Sequence, residues 1–194
     1  MKHVNVLAMR PTQHALGIKD SEHKAKKLKN MTAKQRKAYL GERLIQVVLG
    51  PKKIYYIIDH HHLVRACWEA GIKKVPVEVK SDFSKLGMDK FWIAMRALNF
   101  VHPYDQFGQK QMYTLFPVDV RGMADDPYRS LAWAAREAGG FTKTFTPFSE
   151  FMWANYFRKH IDIEDVRSNF DGAVKKAMKS CKSKAAASLP GFKK

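Results

Sequence analysis

The sequence predicts an α+β fold, a small mixed sheet with helices, followed by an α-helical C-terminal lobe. Three observations predict it. Over residues 1–83 short β-rich runs alternate with helical stretches, the order that lays helices against a sheet. Beyond residue 83 the apolar spacing is helical almost throughout. The chain of 194 residues is 45% hydrophobic and 12% aromatic, enough for one real core with a helical extension.

Each element has a local reason. "HVNVLAM" alternates weakly and reads as a short strand. "RPTQ" follows at Arg10–Gln13, where Pro11 holds Arg10 extended. From Gly17 a basic helical segment runs to about Leu40, with a break near Asn30–Thr32. "RLIQVVLG" and "KIYYIID" are β-rich runs joined at the Gly50-Pro51 turn signal, so they pair as a hairpin or as neighbours. "HHHLVRACWEAG" is a short helix with Leu63, Ala66, Cys67 and Ala70 on one face and Gly71 at the C′ position. A strand follows from about Val75 to Lys80. The helical part, residues 84–194, is expected to pack on this core. In it "DDPYRSLAWAAREAGG" has Asp125 or Asp126 as N-cap, and "TPFSEFMWANYFRKH" repeats the device with a Thr cap and Pro in the first turn. "IEDVRSNFDGAVKKAMKSCKSKAA" reads as one basic amphipathic helix within a basic tail, residues 170–194. Trp92, Trp133 and Trp153 read as core aromatics of these helices.

Charge is the strongest bulk signal, with a formal net charge of +17. The first fifty residues hold eleven Lys/Arg against three acids, and residues 170–194 hold seven lysines against one acid. Such a field attracts polyanions, nucleic acid foremost, and the plain alternative is a set of solvated faces. Cys67 and Cys181 show no metal or redox spacing, and Cys67 falls on an apolar helix face, as a buried reduced thiol would. The N-terminus has no apolar stretch of signal-peptide length and no segment suits a membrane span, so a cytoplasmic protein without a membrane partner is expected.

The densest chemistry lies in "YYIIDHHHLVRACWEAG", Tyr55–Gly71. A strand that ends in Asp59 and enters a helix at once puts the carboxylate and the first histidines where helix N–H groups and dipole favour an anion. Asp59 alone reads as an N-cap or as a functional carboxylate. Successive helical residues turn by about 100°, so His60, His61 and His62 do not all face one metal ion. Nor is there an i,i+4 ligand pair. A metal held by Asp59 would need outside ligands, for which His102 and Asp105 of "HPYD" are the best candidates. A phosphate uses the same atoms better: helix N–H groups bind it, histidines donate further bonds, and Asp59 acts as general base or Mg²⁺ ligand. No Walker loop and no nucleophile elbow is present.

This element resembles "IDGHHRLxAAxxxG" of the ParB/sulfiredoxin superfamily. "RPTQ", "DHHHLVRA", "HPYD", "DDPYRSLAW", "REAGGF", "TPFSEFMWA" and "LPGF" together resemble the ParB-like nuclease family over nearly the whole chain. The resemblance implies a ParB/sulfiredoxin-like core over residues 1–83 and a loop that holds nucleotide phosphates. By position Asp59, His61 and His62 match the family element and become the expected catalytic residues. His60 replaces the family's glycine, and Leu63 stands where a phosphate-clamping arginine is expected, with Arg65 as its candidate substitute. No sulfiredoxin nucleophile is matched, since Cys67 lies within the helix.

Around this junction Arg10 is expected on a phosphate and Gln13 as a polar contact, or "RPTQ" is an ordinary turn. Lys24 points to the same cleft or belongs to a solvated face. His102 and Asp105 line the cleft or form a Pro-fixed turn. Arg129 and Glu150 read as caps or surface ions before site residues. The expected function is a DNA-associated phosphodiester or nucleotide-phosphate hydrolase with nucleic acid as partner, and Mg²⁺ or Mn²⁺ and a nucleotide as candidate cofactors. The alternatives are a small-metabolite kinase resembling the free-serine kinases and a DNA- or nucleotide-binding module without catalysis.

Overall fold

The computed structural model describes residues 1–193. The chain forms two compact units, one of residues 1–16 and 21–124, the other of residues 17–20 and 125–194. The boundary expected at 83/84 thus falls inside the first unit. The reason is aromatic: Phe91 and Met95 are fully buried with Val48 and Tyr56 of the sheet, so residues 84–124 complete its core.

In the first unit five strands form a mixed sheet: β1 (Lys2–Asn5), β2 (Met9–Pro11), β4 (Ile45–Leu49), β5 (Tyr55–Ile57) and β6 (Lys74–Asp82), in the order β1-β6-β4-β5-β2. β3 (Ala15–Leu16) is a two-residue segment outside this sheet. β4 and β5 pair antiparallel, as their turn predicts, whereas β2 joins β5 and β6 joins β4 in parallel. The first run is two strands because a 3-10 turn at Val6–Ala8 breaks it, capped by the Asn5 side chain. Helices α1 (Ile18–Lys29) and α2 (Ala33–Gly41) are separated where expected, and Thr32 and Gln35 make a reciprocal capping box. α3 (His61–Glu69) buries Leu63, Val64, Ala66 and Cys67, and ends at Gly71 with φ +75°. α4 (Met88–Ala97) closes the aromatic side.

The second unit consists of the first turn of α1, Asp125 of the two-residue β7 (Ala124–Asp125), and helices α5 (Pro127–Glu137), α6 (Ser149–His160), α7 (Ile163–Ser168) and α8 (Phe170–Ser180). Its core holds Leu131, Trp153, Phe157, Val166 and Cys181. Asp126 caps α5 by accepting from the Tyr128 N–H at 3.0 Å. Two expectations are corrected. α6 lacks the Thr-cap and Pro device and starts at Ser149, after Phe148 adopts a left-handed backbone at φ +58°. That start puts Glu150 in the first turn, within reach of Arg129 and Arg136. The terminal helix is two helices, because Asn169 leaves helical geometry and caps α8 through the Gly172 N–H. Both cysteines are buried thiols; burial pushes Cys67 up to about 12 and Cys181 up to about 11. No helix among the described residues is long and apolar enough to cross a membrane.

Candidate functional site

Thr12 gathers the junction. Parallel pairing of β2 with β5 sets Arg10 opposite Tyr56 and Pro11 opposite Ile57. One residue further, the Thr12 hydroxyl donates to the Ile57 carbonyl at 2.7 Å, and the Thr12 N–H donates to His61 Nε2 at 3.2 Å. His102 donates its N–H to the Thr12 carbonyl at 2.9 Å, and Gln13 bridges to His102. His61, Gln13 and His102 are therefore brought together around Thr12 from three segments.

Within the histidine run each residue has a different environment. His61 is buried at 2% exposure. Its Nε2 accepts from an amide, so the neutral ring carries its proton on Nδ1. Burial drives its pKa down to about 4 and the neighbouring His60 adds to this, against the raising effects of Asp59 and a backbone hydrogen bond at Ile57. Physically, His61 is a tie between α3 and β2. Asp59 is exposed instead, with His60 half-buried beside it. The Asp59 side chain is 62% exposed; its Oδ1 accepts from the His60 N–H at 2.6 Å, and its Oδ2 lies 3.9 Å from His60 Nε2. Asp59 thus does not cap α3: the N-cap is His60, which makes no side-chain capping bond. His60 sits at φ +66°, ψ +26°, the left-handed region. A turn that demands this conformation accounts for glycine in the family element, and histidine is among the few side chains that tolerate it. His62, the second residue of α3, is half-buried.

The remaining expected residues separate. Leu63 is core, buried at 2% exposure, where an arginine was sought. Arg65 does not replace that arginine. Its Nε donates to Glu69 at 2.7 Å, its Nη1 donates to the Val120 carbonyl at 3.0 Å, and its guanidinium lies 5.0 Å from the Trp68 ring centroid. Asp105 organises its own loop, accepting from the Phe107 and Gln109 N–H groups at 2.9 Å and from Gln111 Nε2 at 2.7 Å. Burial would raise its carboxyl, but these bonds and His14 hold it below the usual carboxylate range. Lys24 is half-buried on α1. Arg10 is exposed and hydrogen-bonds the Tyr56 hydroxyl. In the second unit Arg129 and Glu150 are not surface ions: they pair at 3.1 Å, with the Arg129 side chain 5% exposed, and Arg136 binds the same carboxylate.

Two features escaped the sequence. A cavity of about 210 Å³ opens beside Arg10, walled by Tyr56, Trp92, Tyr113 and Phe116. His14 is buried and stacks on Phe116 at 4.2 Å, with no hydrogen-bond partner for its Nε2 among the described residues. Burial lowers the His14 pKa, against the charge of Asp105. His14 directly follows "RPTQ", which was a signal; the cavity draws on segments too far apart to give one. Among the described residues no group of three or more His, Cys, Asp or Glu is arranged to hold a metal ion.

Residues 2–159 match the family described as "Putative ParB-like nuclease", and the chain belongs to that family. The crystal structure of protein Atu1540 from Agrobacterium tumefaciens is 38% identical with a TM-score of 0.92, over 99% of this chain and 97% of the other. The C-terminally truncated chromosome-partitioning protein ParB from Caulobacter crescentus, complexed to the centromeric parS site, aligns with 98% of this chain and 100% of its own. At 13% identity and a TM-score of 0.33, that likeness is too slight to bear on fold or partner. No curated protein matches.

Proposed function

We propose that this chain hydrolyses phosphodiester bonds of nucleic acid at the Asp59–His62 junction. The observation that carries the reading is the Asp59–His60 pair, an exposed carboxylate and a half-buried imidazole 3.9 Å apart at the start of a nine-residue helix. With Oδ1 engaged by the His60 amide, Asp59 Oδ2 takes a proton from the attacking water. His60 or His62 supplies a proton to the leaving oxygen, the general-acid role an imidazole can take. The positive end of α3 stabilises charge that builds on the phosphoryl oxygens. His61 is a positioning residue that fixes this geometry through Thr12. In place of the base role, Asp59 would be the protein ligand of a Mg²⁺ or Mn²⁺ ion, which would supply positive charge beside the phosphate.

One observation favours a second reading. Position 63 offers no arginine and Arg65 is committed to Glu69 and Val120, so the phosphate clamp is weak. A module that binds nucleic acid without turnover fits that deficit.

The discriminating experiment incubates the protein with single- and double-stranded DNA and RNA and with a nucleotide panel, with and without Mg²⁺ or Mn²⁺. The hydrolase reading expects metal-stimulated strand cleavage that falls at least ~100-fold in Asp59→Ala, the low end of what general acid–base groups contribute. Salt-sensitive binding with no turnover instead supports the binding module.

A further inference from the structure

The cavity beside Arg10 has a lining unlike that of an ordinary packing defect. Trp92 and Tyr113 stack at 5.0 Å with an interplanar angle of 22°, and Tyr113 and Phe116 are inclined by only 18° at 6.0 Å. Trp92 and Phe116 are tilted by 39° at 5.6 Å, and Tyr56 meets Trp92 edge-on at 85°. Trp92, Tyr113 and Phe116 are each half-buried, and Met88 at the wall is 45% exposed. At about 210 Å³ the space is below the ~300–1,000 Å³ of drug-sized pockets and suits a single ring system.

Charge narrows the occupant further. Aromatic walls alone would suit a cation. Here the lining contains Arg10 and no carboxylate, in a chain of net charge +17, so a cation is disfavoured. The ligand that satisfies both wall and rim is a planar ring joined to an anion. In sequence the cavity wall lies close to the junction: Tyr56 precedes Asp59 by three residues, with β5 ending between them at Ile57.

We propose that this cavity is a nucleobase subsite for single-stranded nucleic acid, with one unpaired base against Trp92 and Tyr113 and its phosphate on Arg10. The assignment rests on the nucleic-acid reading above and deepens it. Stacking of this kind tolerates any base, because every base has a flat π-face.

The test is fluorescence anisotropy of labelled oligonucleotides titrated with the full chain. The probes are single-stranded DNA, single-stranded RNA, a matched duplex, and an abasic deoxyribose-phosphate strand of equal length and charge. Base-bearing single strands are expected to bind ~10-fold more tightly than the abasic strand and to quench tryptophan fluorescence. Tyr113→Ala should bring them down to the abasic level while leaving abasic binding unchanged, and Tyr113→Phe should restore the difference. Whether DNA or RNA gains more identifies the sugar, and either gain supports the subsite. Equal affinity for base-bearing and abasic strands overturns it, as does an equal loss on all probes in Tyr113→Ala. A cleavage assay run in parallel separates the two claims. Base-dependent binding without cleavage supports the subsite and contradicts the hydrolase; cleavage without base dependence overturns the subsite alone.

Discussion

At His60 the backbone and the side chain make opposite demands. The left-handed conformation costs a non-glycine residue about 1–2 kcal/mol, and yet the imidazole it carries is half of the Asp59–His60 pair. His60→Gly should therefore raise folding stability or leave it level, because the relief exceeds the ~0.5–1 kcal/mol entropy cost of glycine, while the pair is lost. His60→Val should cost at least about 1 kcal/mol, since a β-branched residue tolerates that region worst; urea unfolding of the two variants checks the order. His61 makes a pH prediction. Its folded pKa of about 4 lies below the ordinary 6.5, so its contribution is full above pH 6.5 and is lost as pH falls through the folded value. Below pH 6.5 the unfolded chain takes up a proton that the folded one refuses. The loss amounts to no more than about 3 kcal/mol, and His61→Gln should flatten this part of the stability profile in denaturant titrations at stepped pH. The residues of the junction were legible because they are contiguous, and a strand running straight into a helix announces itself in one line of sequence. Which histidine faces inward was not legible, because His61 is turned in by Thr12, a residue 49 positions away.

Among the elements, α1 shows how a helix start can depend on distant chain. Its first N–H groups are met by the Asp125 carboxylate at 3.0 Å and the Ser130 hydroxyl at 3.2 Å. The approach is so close that a Cβ on Gly17 would lie 2.5 Å from the Ser130 backbone nitrogen. Backbone atoms of α5 have nowhere to yield, so Gly17→Ala should destabilise the protein by about 1–3 kcal/mol, read as a lower Tm. The glycine was visible in the sequence as the end of "RPTQHALG", but only the packing explains it. Strand pairing around Gly50-Pro51, the Thr32 break and the Gly71 stop were read correctly because each rests on local turn or cap chemistry. The start of α6 and the division of the terminal helix were misread. A Thr-Pro pair and an uninterrupted amphipathic pattern predict helix locally, whereas Phe148 in a left-handed turn and the Asn169 cap redirect the chain.

For the molecule as a whole, a net charge of +17 in a chain of the ParB-like nuclease family makes electrostatics the first question. Binding of single-stranded nucleic acid should weaken steeply with salt, and Arg10→Gln should reduce the log–log slope by about 0.7, the counterion released by one phosphate contact on a single strand. A lysine-rich face with no phosphate contact would leave that slope unchanged on substitution. The most direct measurement is single-turnover cleavage of a labelled single strand by the wild-type chain and by Asp59→Asn, with affinity followed on the same samples. The account predicts divalent-dependent cleavage by the wild type and its loss in Asp59→Asn at nearly unchanged affinity. Cleavage by Asp59→Asn at the wild-type rate, or tight binding by the wild type with every strand left intact, would contradict it.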